Sequence, residues 1–210
     1  MTWINLTDPR KVPDGQGFSA LVFDWDGTMV DSREVNFHAL RQAMADCGVV
    51  LDPDFYWVRQ GMASPELLVL WESEYVSLPE PIATIIDRCR QYNIEWAGTV
   101  EVIKPMAAVA KAAHARGQLL AVASNASAIN LRASMHATGL ADLFHAVATW
   151  SDVPAGRGKP HPDIFLLAAS RLDIPPAQCP VYEDAEEGVA GALAAGMTVF
   201  NVRTGRLSRP

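Results

Sequence analysis

The chain has 210 residues, 17 basic against 24 acidic, for a formal net charge of −7, and half of it is apolar. That apolar fraction excludes an intrinsically disordered chain, since it can bury enough surface to offset ordering entropy. The acidic balance argues against a nucleic-acid partner, which needs a broad excess of cations, but leaves room for a small phosphorylated ligand held by a few local ones.

Residues 1–17 carry Pro9, Pro13, Gly15 and Gly17 and read as a loose lead-in without the apolar run of a signal peptide. Ala20-Leu-Val-Phe23 follows as a first strand. The stretch 33–97 is different: helical patterns near 33–47, 53–60, 65–77 and 81–96 are punctuated by Asp52-Pro53, Ser64-Pro65, Pro79 and Pro81, with no convincing strand. It holds ten acids, five arginines and no lysine. Beyond it, Pro105–Arg116 reads as a helix stopping at Gly117. Leu119–Ala123 is a second strand, and Ala146–Thr149 a weaker one. Asp163–Leu172 is a helix, Pro180–Tyr182 a strand, Glu186–Ala195 a helix closing at Gly196, and Thr198–Val202 a last strand. Apolar runs without polar alternation suit parallel strands covered on both faces. The expected architecture is therefore α/β, a doubly wound, Rossmann-like parallel sheet over 18–32 and 98–210, with a small all-helical cap inserted at 33–97.

Cys47, Cys89 and Cys179 are far apart and form no CxxC pair, so neither a disulfide framework nor a thiolate metal site is expected. The uncharged stretch Gly188–Val202 is fifteen residues broken by three glycines, short of a membrane span. A cytoplasmic protein without membrane partners, monomeric or a weak homodimer, is the expectation.

Four segments at predicted strand ends can carry chemistry. Asp24-Trp-Asp26-Gly27-Thr28 follows the first strand, where open α/β sheets bind ligands. A glycine there lets the backbone turn so that amides face an anion, although a solvated Asp-Gly turn is an equal reading. An EF-hand loop is excluded, because Met29 and Val35 would stand where its glycine and glutamate belong. Ser124-Asn125 ends the next strand, and Ser124 or Ser127 can cap the following helix or meet a phosphate. In Gly156-Arg-Gly-Lys159-Pro-His-Pro162 a rigid loop can fix one cation, or leave Lys159 as a solvated charge. It is not a nucleotide P-loop, which needs Gly-Lys-Ser/Thr after a longer glycine spacing. Glu183-Asp184 end a strand as adjacent acids, an arrangement that a hard divalent cation relieves, whereas Glu186 and Glu187 complement a helix dipole.

In this order, Asp24-x-Asp26-Gly-Thr28, Ser124-Asn125, Gly158-Lys159-Pro160 and Glu183-Asp184 resemble the four motifs of the haloacid dehalogenase superfamily, from about Ser19 to Arg203. The helical insert resembles the cap of its β-phosphoglucomutase-like branch, and the C-terminal half is similar to small sugar-phosphate phosphatases of the fructose-1-phosphatase type. The resemblance implies Asp24 as nucleophile and Asp26 as acid and base. It implies Mg²⁺ on Asp24, the Asp26 carbonyl and Asp184 with Glu183 nearby, and phosphate bound by Ser124, Lys159, Asn125 and the Gly27 and Thr28 amides. In the insert it points to the Arg59-Gln60 loop as a substrate contact. Phosphoglucomutases carry a lysine and an arginine around this loop where the chain has Gln60 and Ser64. A phosphatase is therefore expected ahead of a sugar phosphomutase, acting on a fructose-1-phosphate-like ester. A catalytically idle module of this fold would lack Asp24, Asp26 or Lys159, and all three are present.

Overall fold

The structure, a computed structural model, describes residues 12–59 and 62–210. They divide into two compact units, one running up to Asp31 and again over Val100–Pro210, the other Ser32–Thr99.

The first unit is built on a six-stranded sheet. Its strands are β1 (Ala20–Phe23), β4 (Leu119–Ser124), β5 (Ala146–Thr149), β6 (Val181–Glu183), β7 (Val199–Asn201) and β8 (Arg206–Ser208), in the order β5-β4-β1-β6-β7-β8. All pairs are parallel except the edge hairpin β7–β8. A separate antiparallel pair, β2 (Val30–Asp31) with β3 (Glu101–Val102), flanks the second unit in sequence. The doubly wound expectation therefore holds, while β2, β3 and β8 are elements that the apolar pattern does not announce.

Alternation along the strands sorts the core by size. Leu21, Phe23, Leu120, Val122, Tyr182 and Phe200 face one side, against α5 (Lys104–Ala115) and α6 (Ala128–Ala137). Ala20, Val22, Ala121, Ala123, Ala146 and Ala148 face the other, against α7 (Asp163–Leu172) and α8 (Glu186–Ala194). Both faces are apolar because both are covered, and the alanine-rich face lets α7 lie close to the sheet. Ser127 is the N-cap of α6, its hydroxyl accepting the Asn130 amide at 3.3 Å. Among the described residues no helix is long and apolar enough to cross a membrane.

The second unit is helical: α1 (Arg33–Ala45), α2 (Pro53–Trp57), α3 (Ser64–Glu74) and α4 (Ile82–Glu95) surround Phe37, Leu40, Met44, Phe55, Trp71 and Ile85. Asp52 starts α2, its side chain accepting the Asp54 amide at 2.9 Å.

In the first unit, α8 approaches the Lys159 loop backbone at Gly191, where an added Cβ would stand 2.9 Å from the Pro160 carbonyl oxygen and 3.1 Å from that of His161. Both obstacles are main chain and have little room to yield. Gly191→Val is therefore expected to cost about 1–3 kcal/mol through overpacking, more than the gain of under about 1 kcal/mol from removing a helical glycine. Thermal unfolding should read a Tm lower by about 2–4 °C per kcal/mol for a chain of this size. An unchanged Tm would refute the close approach.

Candidate active site

Register gathers the chemistry. Phe23 pairs with Val122 on one side and Tyr182 on the other, and the Asp24 amide donates to the Tyr182 carbonyl at 2.9 Å. Asp24, Ser124 and Glu183 thus emerge together at the carboxyl ends of three adjacent strands. The chain reverses its direction across the sheet at β1, the place where open α/β sheets form a binding crevice.

The centre is a buried ion cluster. The Lys159 ammonium donates to Asp24 Oδ1 at 2.6 Å and to Glu183 Oε2 at 2.7 Å, and its side chain is only 6% exposed. The reading of Lys159 as a solvated loop charge is thereby excluded. Burial alone would lower its pKa, but the two carboxylates outweigh it and hold the group above its ordinary value. Glu183, 1% exposed, turns its other oxygen back onto its own strand end, where Oε1 accepts the Asp184 and Ala185 amides at 3.0 and 3.1 Å. Burial first, and then the Asp24 charge, raise the Glu183 carboxyl, with Lys159 opposing. Asp184 is raised to about 6 by burial and by Asp24, against the pull of Arg203.

Two glycines make room for these acids. Gly27 has φ +90°, and a Cβ there would stand 2.3 Å from Asp184 Oδ2. At Gly188, in the first turn of α8, a Cβ would stand 2.1 Å from the Glu183 carboxylate.

The loop after β1 corrects one expectation. The Gly27 amide donates to the Val30 carbonyl at 2.7 Å and the Thr28 amide to that of Trp25 at 3.2 Å. Both amides are used to close the turn and are not presented to a phosphate. What the turn leaves open is the buried Thr28 Oγ1, together with Asp24 Oδ2; neither has a hydrogen-bond partner. Trp25, between the two acids, points into the core and donates from Nε1 to Ser134 Oγ at 2.9 Å. Asp26 is half-buried and its carboxylate lies outside the acidic cluster.

Ser124 is buried, its Oγ accepting the Ala126 amide at 3.0 Å, which leaves its proton free to be donated. The Asn125 side chain is directed elsewhere. Its Oδ1 accepts the Lys159 amide at 2.9 Å and its Nδ2 donates to the Lys159 carbonyl at 3.4 Å. Asn125 thus clamps the loop that presents Lys159, a role its place beside Ser124 does not announce.

In the helical unit the expectation for Arg59 is also corrected. Its guanidinium forks onto Glu74 at 2.9 and 2.8 Å, donates to the Phe55 carbonyl at 3.1 Å, and lies 4.0 Å from the Phe55 ring centroid. This arginine braces α2 against α3 and is committed there. Gln60 lies outside the described residues. Sequence reasoning also missed the contact of Arg203 with Asp184, at 2.5 Å.

Among the described residues, Asp24, Glu183 and Asp184, all buried, each offer one carboxylate oxygen, and these three oxygens lie within 4.8 Å of one another. All-oxygen donors suit a hard dication. The unpartnered Asp24 Oδ2 is a buried acceptor with nothing in the protein to satisfy it, so the donor set fits such an ion.

Known proteins resemble the chain over most of its length. Residues 18–196 match the model of the haloacid dehalogenase-like hydrolases. The chain is 31% identical over 195 residues to Protein CbbY of Rhodobacter capsulatus, covering 86% of this chain and 83% of that protein. It is 30% identical over 187 residues to fructose-1-phosphate phosphatase YqaB of Escherichia coli K12, covering 89% and 97%. The crystal structure of CbbY from Rhodobacter sphaeroides in complex with phosphate superposes with a TM-score of 0.77 at 26% identity, covering 87% of this chain and 84% of that one. With its family model matched over most of its length and its strand-end motifs gathered in one crevice, the chain belongs to the haloacid dehalogenase-like hydrolases.

Proposed function

We propose that this chain, a phosphoric monoester hydrolase, cleaves a small sugar phosphate through an aspartyl-phosphate on Asp24, with Mg²⁺ bound at Asp24, Asp184 and the Asp26 main-chain carbonyl. The observation that carries the reading is the Lys159 bridge between Asp24 and Glu183 beside an Asp24 oxygen without a partner. A purely structural ion pair gains nothing from a buried, unsatisfied acceptor. An attacking carboxylate needs one.

An Asp24 oxygen forms a bond to phosphorus as the bond from phosphorus to the ester oxygen breaks, and the departing alkoxide takes a proton from Asp26. Water then attacks phosphorus as the bond from phosphorus to the Asp24 oxygen breaks, Asp26 takes a proton from that water, and inorganic phosphate leaves with the Asp24 carboxylate restored. An ammonium has three N–H donors. Two of those on Lys159 are used by Asp24 and Glu183, so the third remains for a phosphoryl oxygen. The free protons of Ser124 and Thr28 supply two more donors in the same crevice. Glu183 holds Lys159 in place and is at most an outer neighbour of the ion, since both its oxygens are engaged. When bound, the dication supplies positive charge that screens like-charged carboxylates and phosphoryl oxygens from one another.

The substrate class rests on likeness to fructose-1-phosphate phosphatase YqaB. A sugar phosphomutase must hold a second phosphate while its intermediate turns over. The commitment of Arg59 to Glu74 removes one cation that could do so, which favours hydrolysis. We assign 33–97 as the cap that selects the substrate.

Asp24→Asn is expected to lower phosphate release from a panel of sugar phosphates, fructose 1-phosphate included, by at least about a thousandfold, as loss of a covalent nucleophile does. It should do so without unfolding the chain. Unchanged turnover would remove Asp24 as nucleophile, and isomer conversion without phosphate release would favour the mutase.

The second expectation concerns metal and pH. Asp184 rises from 3.8 unfolded to about 6 folded, so the folded state binds its proton more tightly. This contribution to stability is complete below the lower value and is lost as pH rises through the upper one. In EDTA the Tm should therefore fall between about pH 4 and pH 7. Mg²⁺, which competes with protons for the same carboxylates, should raise the Tm more at about pH 7 than at about pH 5. EDTA should also abolish hydrolysis; activity that survives chelation would overturn the metal assignment.

A further inference from the structure

Arg203 lies outside the four motifs, yet its guanidinium Nη2 is 2.5 Å from Asp184 Oδ2. The two ends of this pair differ sharply. The Asp184 side chain is 4% exposed and that of Arg203 is 44% exposed, so the acid is fixed in the crevice while the base reaches it from the solvent side. Exposed ion pairs are worth little, but here one partner is desolvated and has another carboxylate beside it.

The backbone delivers Arg203 deliberately. Glu183 pairs with Asn201 between β6 and β7, and Asn201 opens the tight turn to β8. Asn201 Oδ1 accepts the Arg203 and Thr204 amides at 2.9 and 3.0 Å, and the Gly205 amide donates to the Asn201 carbonyl at 2.9 Å. The turn that ends the sheet thus fixes where Arg203 starts, at the same sheet end as the acids.

Within the buried cluster, the carboxylates of Asp24, Glu183 and Asp184 stand against the ammonium of Lys159 and the guanidinium of Arg203, with Asp26 outside it. Lys159 serves Asp24 and Glu183 but donates no hydrogen bond to Asp184. We infer that Arg203 is a positioning and charge-balancing residue that stands in for the dication at Asp184: it neutralises this carboxylate while no metal is bound and weakens metal binding in proportion to its charge. The inference rests on the metal assignment in the preceding section. An enzyme so built keeps its acidic crevice folded without metal and binds the ion reversibly.

The test uses the full chain, with Mg²⁺ affinity read by titration calorimetry and stability in EDTA by thermal unfolding. Arg203→Gln removes the charge and keeps a donor; Arg203→Met removes both; Arg203→Lys keeps the charge. Both neutral variants are expected to bind Mg²⁺ about tenfold more tightly at low salt, a gain that shrinks as salt screens the charge. In EDTA they should unfold at a lower temperature than the wild type, because Asp184 is left buried without its partner. Arg203→Lys should retain wild-type affinity. Equal or weaker Mg²⁺ binding by both neutral variants overturns the inference, as does weakened binding by Arg203→Lys alone, which would make the guanidinium geometry the operative feature. If the wild type itself binds no Mg²⁺, the metal assignment fails instead, so the two failures are distinguishable.

Discussion

A buried ammonium shared between two carboxylates is the interaction on which this crevice depends. Taking such ions out of water costs several kcal/mol each, recovered only through close geometry and further hydrogen bonds. Lys159 meets that condition with contacts of 2.6 and 2.7 Å, and Glu183 adds two backbone amides. Removing any one member would strand the others in a poorly solvated place. The Lys159 loop, the end of β6 and the turn after β1 are therefore fixed relative to one another by charge as well as by packing.

Much of the surrounding scaffold serves that approach. Gly27 and Gly188 leave the space that the Asp184 and Glu183 carboxylates occupy, and Gly191 lets α8 lie against the backbone beside Lys159. Asn125 grips Lys159 by both its amide and its carbonyl, so the motif next to Ser124 acts on the cation loop. Arg157 closes the same loop from the other side through Asp163, at 3.0 and 2.7 Å. Each of these is a short-range device, and together they hold one ammonium to a geometry that a free lysine would visit rarely.

What could be read from the sequence follows the range of the interactions involved. The strands of the parallel sheet are legible because both their faces are apolar. β8, with the sequence Arg-Leu-Ser on an exposed edge, and the two-residue strands β2 and β3 leave no such trace. Asp24, Ser124, Lys159 and Glu183-Asp184 stand out because strand ends carry them in a recognisable order. Arg59 gives no sign of its engagement because its partner Glu74 is fifteen residues away, and no local rule pairs residues at that separation. The Gly27 and Thr28 amides read as anion donors although the turn itself consumes them, since composition reports that a glycine can turn and not which acceptor its amide will find. Arg203 was invisible for a third reason: only the β6–β7 register brings it beside Asp184.

Two departures from ordinary satisfaction are informative because of where they fall. Asp24 Oδ2 and Thr28 Oγ1 are buried polar atoms without partners, and both belong to the same five-residue turn after β1. A core optimised for stability alone would fill such a place with apolar side chains, which often equal or exceed a buried ion pair in stability. Here the sequence instead keeps three carboxylates against one shared ammonium and one half-exposed guanidinium, and leaves one carboxylate oxygen and one hydroxyl of the same turn without partners. Conflicts between local stability and local chemistry mark functional sites. At the reversal point of the sheet, where a ligand can enter, these two atoms stand in the turn that carries Asp24 of the buried carboxylate group, and that is the physical reason the crevice reads as a place for a cation and an anionic substrate together.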